Sequence, residues 1–305
     1  MNFWLKSIVR FILTILFITI ISFILIKISP IDPATAYARR VFITSDEKIE
    51  QLREEMGLNK SIAEQYIEWW KQIAKGNFGK SLITSKNVFS EIKNALGYTS
   101  SIVLIAIIIQ AVGAIFFSIV AYLSNNTFIG KIMNKIYIIA ISIPPFIVAS
   151  MVLEVLAIKF RIINISSNEG VARFLPAAIS LSVSGIAYFG KLLYDSIEKE
   201  MNQDAVFYLK TLGFSEKKII EKYVLYLSIW SVLPTFMQMM GMCFAGTMIV
   251  EQVFGLPGMG ALLINSVLLR DAPMIHGIIL CLGIIMALFL IFADIVRKVD
   301  RKSEI

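Results

Sequence analysis

Residue types able to do covalent or metal chemistry are sparse in this chain. It has one histidine, His276, and two cysteines, Cys243 and Cys281, both inside apolar runs. One His and two Cys so placed do not assemble a zinc-type ligand set, and two cysteines in apolar stretches do not read as a disulfide framework. The 13 methionines are scattered mostly through apolar runs and read as packing rather than metal ligation. There is no Gly-x4-Gly-Lys-Ser/Thr loop to cradle nucleotide phosphates, and Gly76 and Gly79 are too isolated to supply one. A His-Glu-x-x-His pair and a Gly-x-Ser-x-Gly elbow are absent as well. The missing nucleophile–base and metal sets argue against a membrane-embedded enzyme, and no metal or cofactor bound by the chain itself is expected.

What remains are charges and backbone-special residues inside or beside apolar runs. Glu154 lies within one run; an ionisable group there is a functional candidate unless it sits at headgroup level near Lys159. Glu251 stands at the edge of another run, costly unless paired or wet, with Arg270 as a candidate partner. Pro144-Pro145 frees backbone carbonyls inside an apolar stretch and predicts a kink, read either as a flexing point or as a static bend. Pro257, Gly258 and Gly260 predict a tight re-entrant or surface turn, placed beside a pore because non-helical backbone at membrane depth must be buried in protein or line a cavity.

The elements that must position these residues are membrane helices. Of 305 residues, 57% are hydrophobic and 17% charged, with mean hydropathy +0.75, whereas a soluble domain carries roughly 25% charged residues. A helix crossing ~30 Å of hydrocarbon needs about 20 mostly apolar residues. Six stretches qualify: residues 8–28, 101–123, a run between Lys135 and Lys159, 174–194, 223–250 and 274–295. The first reads as a span rather than a cleaved leader, because its apolar run is long and the small-x-small pattern Ala34/Ala36 lies well beyond its end. The net charge is +7. Lysines and arginines flank the apolar runs, which points to the bilayer rather than to nucleic acid.

With the N-terminus inside, the inner segments hold fourteen Lys and Arg, including Lys131, Lys135, Lys210 and Arg297. The two short outer loops hold four, namely Lys159, Arg161, Arg173 and Arg270. The positive-inside rule then predicts two cytoplasmic termini. The expected architecture is all-α: an N-terminal span (1–29), an extracytoplasmic helical segment (30–98), a membrane core of the other five spans (99–296) and a cytoplasmic tail (297–305). In the outer segment, residues 44–47 read as a capping box opening a helix that ends before Gly57. Ser61 and Glu64 form a second box, opening a helix that carries Tyr66, Trp69, Trp70 and Ile73 and stops at Gly76. These amphipathic helices either cap an outer pore mouth or pack on the outer surface.

The inner loop 195–222 is the most informative stretch. It is charged and helix-prone, and Gly213 sits where a helix would end and reverse before Ser215 starts the next. A short helix on the inner face is a physical handle that a partner's groove can grip, unless it is an ordinary solvated hairpin. Asp204, Val206 and Gly213, followed by Leu233-Pro234, resemble the coupling segment of permease subunits of ATP-binding-cassette importers. One departure is Leu209, where the pattern has a small residue. Glu251, Phe254, Pro257, Gly258 and Gly260, then Arg270, Asp271 and Pro273, resemble the E-x-x-F-x-x-P-G-x-G … R-D-x-P signature of the first permease of peptide/nickel importers. Asp32-Pro33-Ala34, Asn77-Phe78-Gly79, Ser81 and Pro145-Phe146 agree, so the resemblance runs along the whole chain.

That resemblance implies a permease without its own ATPase site. Its partners would be two ATPases that use ATP and Mg²⁺, a second related permease and an extracytoplasmic binding protein. The place would be a bacterial cytoplasmic membrane. It implies nickel, metal-chelate or short-peptide cargo, and residues 32–39 with Leu209 lean toward the nickel side. A gradient-driven secondary transporter is the rival reading; it predicts internal repeats and acidic relays, for which Glu154 is the one fair candidate.

Overall fold

The computed structural model describes residues 3–125, 127–160 and 173–303, without the side chains of residues 3, 157–158 and 300–303. Arg161 lies outside the described residues. The described residues are mainly helical, and the only strand-like pairing among them is one bridge, Lys80 to Asn87. In order come α1 (Phe3–Ile28), α2 (Pro33–Arg40), α3 (Asp46–Glu55), α4 (Ile62–Ala74), α5 (Val88–Leu123), α6 (Phe128–Ser142), α7 (Pro145–Leu153), α8 (Leu175–Met201), α9 (Asp204–Thr211), α10 (Glu216–Ile219), α11 (Leu225–Val253), α12 (Met259–Leu268) and α13 (Ala272–Ser303). Five helices are long and apolar enough to cross a membrane, and six if the α6–α7 pair counts as one span.

The third expected span is not one helix. The axes of α6 and of Pro145–Leu156 differ by 98°, far more than the kink expected. The cause is local: a residue before proline is driven out of the helical region. Ile143 precedes Pro144 and Pro144 precedes Pro145, and both are extended, at ψ 120° and 139°. The bend is accommodated by a donor from elsewhere, since Ser184 Oγ gives a hydrogen bond to the freed Ile143 carbonyl at 3.2 Å. Helix α5 also differs from its expected start. It opens at Val88, because Glu91 and Lys93 read as loop by hydropathy but are good enough helix formers to extend an apolar helix outward.

The chain divides into two compact units. The first comprises Met1–Thr99 and Pro257–Leu288, the second Ser100–Leu256 and Phe289–Ile305. In the first, the C-terminal half of α1 packs on α4 through Phe23, Tyr66 and Trp69, with the Tyr66 hydroxyl 2.9 Å from Thr19 Oγ1. Val88, Ile92 and Ala95 of α5 meet Met259, Met274 and Ile278 in a buried cluster. Gly277 permits this approach, since a Cβ there would lie 2.8 Å from Val88 and 2.9 Å from Ile92. Helix α2 exists because Asp32 caps it, accepting from the Thr35 amide at 3.0 Å, with Pro33 pre-set in its first turn. At α4 the capping box of Ser61 and Glu64 is formed in both directions. At α3 the expected box is not: the cap is Ser45, one residue after Thr44, and its side chain makes no capping bond.

In the second unit α8 and α11 pack side by side, Phe189 against Phe236 edge-on at 4.6 Å. Buried Gln110 donates to the Leu181 carbonyl at 3.3 Å, passing where Gly185 has no side chain; a Cβ there would collide with the Gln110 amide.

Candidate functional site

Asp204, Val206, Leu209 and Gly213 all belong to α9 and the turn that ends it. The turn is a Schellman motif: Gly213 N–H donates to Lys210 O at 3.0 Å and Phe214 N–H to Leu209 O at 3.3 Å. Gly213 has φ 85°, a left-handed value that a side chain makes costly. Val206 is fully buried. It shares one cluster with Leu193, Ile197 and Met201 at the end of α8 and with Ile219, Ile220 and Val224 at the start of the helix leading into α11. One valine thus ties α9 to both long helices flanking it. The opposite face is bare: Phe207 is 71% exposed and Tyr208 64%, and Leu212 and Phe214 are exposed as well. Four large apolar or aromatic side chains in the open, two on a helix of eight residues whose other face is anchored and two on the turn that ends it, make an unpartnered surface. Leu209 does not belong to that surface. It is half-buried against the inner cluster, so the departure at this position is absorbed inward and leaves the outward face unaltered.

Leu233 and Pro234 lie inside α11, directly after Val232, which packs on this cluster. Pro234 is buried within the helix, and Leu233 lines a small apolar cavity of about 130 Å³ with Leu193 and Phe189. Ser196 of α8 and Ser231 of α11 are joined at 2.7 Å.

The second set of residues divides between the units. Glu251, in the last turn of α11, is fully buried. Phe254 is buried and caps the helix, and the left-handed residue of the following turn is Gly255 (φ 61°), not one of the glycines expected there. Leu256 N–H returns to Glu251 O at 2.9 Å, completing another Schellman motif. Gly258 has extended backbone and caps α12, while Gly260 is buried in its first helical turn. The expected turn at Pro257, Gly258 and Gly260 is therefore two helix termini in succession: Gly255 ends one helix and Gly258 starts the next.

Arg270 follows α12 with φ 59°, an unusual position for a non-glycine residue. Asp271 is 1% exposed. Its carboxylate accepts from Ser81 Oγ at 2.5 Å and from Leu82 N–H at 3.1 Å, pinning the 80–87 loop. Arg40 supports the same junction, donating to Leu82 O and to Leu269 O at 3.1 Å each. Asp271 is thus bound up in this junction. Glu154 is exposed on the wide turn that continues α7, and Pro144 and Pro145 form the sharp bend already described.

Sequence reasoning passed over two further features of the first unit. Asp32 is bonded to Arg53 at 2.9 Å. Partial burial pushes its carboxyl up, but hydrogen bonds from Arg53 and Thr35 outweigh this and hold it well below the usual carboxylate range. His276 is buried, stacks on Phe23 with centroids 3.8 Å apart and lies 2.9 Å from Ser22 Oγ through Nδ1. The signal for the first was the Asp-Pro of a helix start; nothing in local sequence marked the second. Among the described residues no group of three or more His, Cys, Asp or Glu is placed to hold a metal ion.

The chain is similar to known transport proteins along its whole length. Residues 113–302 match the family described as binding-protein-dependent transport system inner membrane component. Residues 1–103 match the N-terminal membrane-component family of the same systems. A protein of Brucella abortus (strain 2308) named as a peptide transport system permease is 28% identical, covering 97% of this chain and 96% of its own length. The nickel import system permease protein NikB of Staphylococcus aureus (strain USA300) is 26% identical, covering 95% and 88%. A Sinorhizobium fredii protein named as a peptide ABC transporter permease is 23% identical, covering 95% of both chains.

Proposed function

We propose that this chain, which belongs to the binding-protein-dependent transport system inner membrane components of the peptide and nickel ATP-binding-cassette importers, forms the translocation path for short peptides or for nickel and its chelates. In this reading it crosses a bacterial cytoplasmic membrane six times, with α6 and α7 together as the third crossing and both termini inside. It pairs with a second related permease, receives cargo from an extracytoplasmic binding protein and leaves ATP and Mg²⁺ to two ATPase subunits.

The observation that carries the proposal is the two-faced helix α9. Its buried side, through Val206, is continuous with the ends of α8 and α11, while its outer side offers Phe207, Tyr208, Leu212 and Phe214. A motor that closes on the outer side moves both long helices through the inner one, which is the minimum a coupling element must do. Nucleotide binding by separate subunits then switches access between the two faces of the membrane.

Gly213 gives the test. No atom lies within 4 Å of where its Cβ would be, so a side chain meets no clash inside this chain. Only the left-handed backbone objects, by about 1–2 kcal/mol for a residue with a Cβ. Asn tolerates that region better than a β-branched residue does. Gly213→Val is expected to lower both uptake and ATPase co-purification, and Gly213→Asn to retain most of both. If the Gly213→Val protein imports and co-purifies as the parent does, the coupling role of this segment is wrong.

A further inference from the structure

The first unit holds two adjoining clefts. The larger encloses about 490 Å³, within the ~300–1,000 Å³ range of small-ligand sites; the smaller encloses about 370 Å³. They share a wall that includes Phe23, Gln65 and His276.

The hydrogen bonds around His276 set what that wall can do. Ser22 Oγ lies 2.8 Å from the Thr19 carbonyl, which can only accept. The single hydroxyl hydrogen is thereby committed to Thr19, the usual back-bonding of a helical serine. Toward His276 the oxygen can then only accept, so Nδ1 carries the hydrogen across the 2.9 Å contact. In a neutral imidazole Nε2 is left as a lone-pair acceptor. Among the described residues none donates to it. The ring itself is 6% exposed and clamped, stacked on Phe23 at 3.8 Å with Trp69 at 5.9 Å. That acceptor belongs to a side chain lining both clefts.

The rest of the larger cleft defines the donor. Aromatic faces attract cations, and Trp69 lines the same cleft with its ring centroid 5.9 Å from that of His276. Two carboxylates, Glu55 and Glu68, line the same cleft, as does one ammonium, Lys60. We propose that this cleft binds a short peptide by its N-terminal ammonium, with His276 Nε2 as the acceptor, the Trp69 face and the two carboxylates neutralising the charge, and Lys60 answering the peptide's carboxylate. The site names the end of the cargo that the outer segment reads. It rests on the transport reading for calling the peptide cargo, and not for the binding itself.

The chain has a single histidine, so ¹⁵N-histidine labelling of the full protein in lipid nanodiscs reports on this ring alone. The expected spectrum has a protonated Nδ1 and an unprotonated Nε2, the latter shifting as trialanine saturates the protein. N-acetyl-trialanine, which lacks the ammonium, is expected to bind at least tenfold more weakly. His276→Phe retains an aromatic ring on Phe23 without the acceptor and is expected to weaken trialanine binding by about tenfold, with His276→Gln recovering part of it. The opposite tautomer, equal binding of the acetylated peptide, or parental affinity in His276→Phe each overturns the proposal, as does a shift of Nε2 by Ni²⁺ but not by trialanine. The two readings fail separately. A chain that binds trialanine but never associates with an ATPase sinks the permease reading alone; one that imports with its ATPases but does not bind trialanine sinks the cleft alone.

Discussion

Asp271 illustrates how much one carboxylate can hold. It accepts from the Ser81 hydroxyl and the Leu82 amide while nearly inaccessible to water, and Ser81 Oγ in turn accepts from the amides of Ile83 and Thr84. Asp271→Ala strands a buried donor pair and is expected to destabilise the outer segment by about 2–4 kcal/mol, while Asp271→Asn, which can still accept one bond, costs about half as much. Thermal unfolding in detergent, together with proteolysis of the 80–87 loop, measures this; equal stability of the Ala variant would show the pin to be idle. Asp32 behaves differently because it is partly exposed and ion-paired. Its folded carboxyl titrates below the unfolded value of about 3.9, so its contribution is present above that value and is lost as pH falls through the lower, folded one. Amide exchange in α2 is therefore expected to stay slow through pH ~4 and to accelerate only in stronger acid. Asp32→Asn should remove that acid dependence; if the parent's α2 opens already near pH 5, the Arg53 bond is not what fastens it.

Helix α9 can be taken apart face by face. Val206→Ala removes two buried methyl groups and leaves a small void, a loss of about 2 kcal/mol borne by the junction with α8 and α11. The exposed face is untouched, so ATPase subunits are expected to co-purify normally while uptake falls. Tyr208→Ala does the reverse: it removes an exposed ring, leaves the fold intact and should weaken ATPase association. If both variants lose association and uptake together, the two faces are not separable and α9 is not a lever. The contrast also shows what the residues disclosed in advance. Gly213, Ser61 with Glu64, and the proline pair at 144–145 are local signals, and each produced the terminus or break its neighbours dictate. Gly258 and Gly260 were read as turn glycines because they stand beside Pro257, yet the left-handed residue is Gly255, selected by where α11 runs out. The Asp271–Ser81 contact joins residues 190 apart and has no local signature. Neither has the clamp on His276, whose partner Ser22 is 254 residues away.

At the scale of the whole chain, the side of the membrane on which α9 lies depends on parity, and parity turns on the bent α6–α7 pair. Helix α5, with 36 residues, is about 54 Å long against ~30 Å of hydrocarbon, and the N-terminal apolar helix is also ample, so both are long enough to cross. The pair α6–α7 is not secure by length: 15 residues and nine residues, separated by a 98° turn, fit either one broken crossing or a re-entrant loop that returns to its starting side. If the pair crosses, the segments after α5 and after α8 face the same compartment, α9 lies with the N-terminus, and a cytoplasmic motor can reach Tyr208. If it returns, α9 faces outward and no such motor can act on it. The distribution of lysine and arginine favours the crossing. Three single-cysteine variants, Asn87→Cys, Asn125→Cys and Ser215→Cys, each in a chain whose Cys243 and Cys281 are replaced by serine, decide it. With an impermeant thiol reagent on intact cells, the Asn87→Cys chain is expected to label, while the Asn125→Cys and Ser215→Cys chains label only after permeabilisation. Labelling of the Ser215→Cys chain from outside, with the Asn125→Cys chain still protected, would make the bent pair re-entrant and remove the physical route by which ATP hydrolysis could drive this protein.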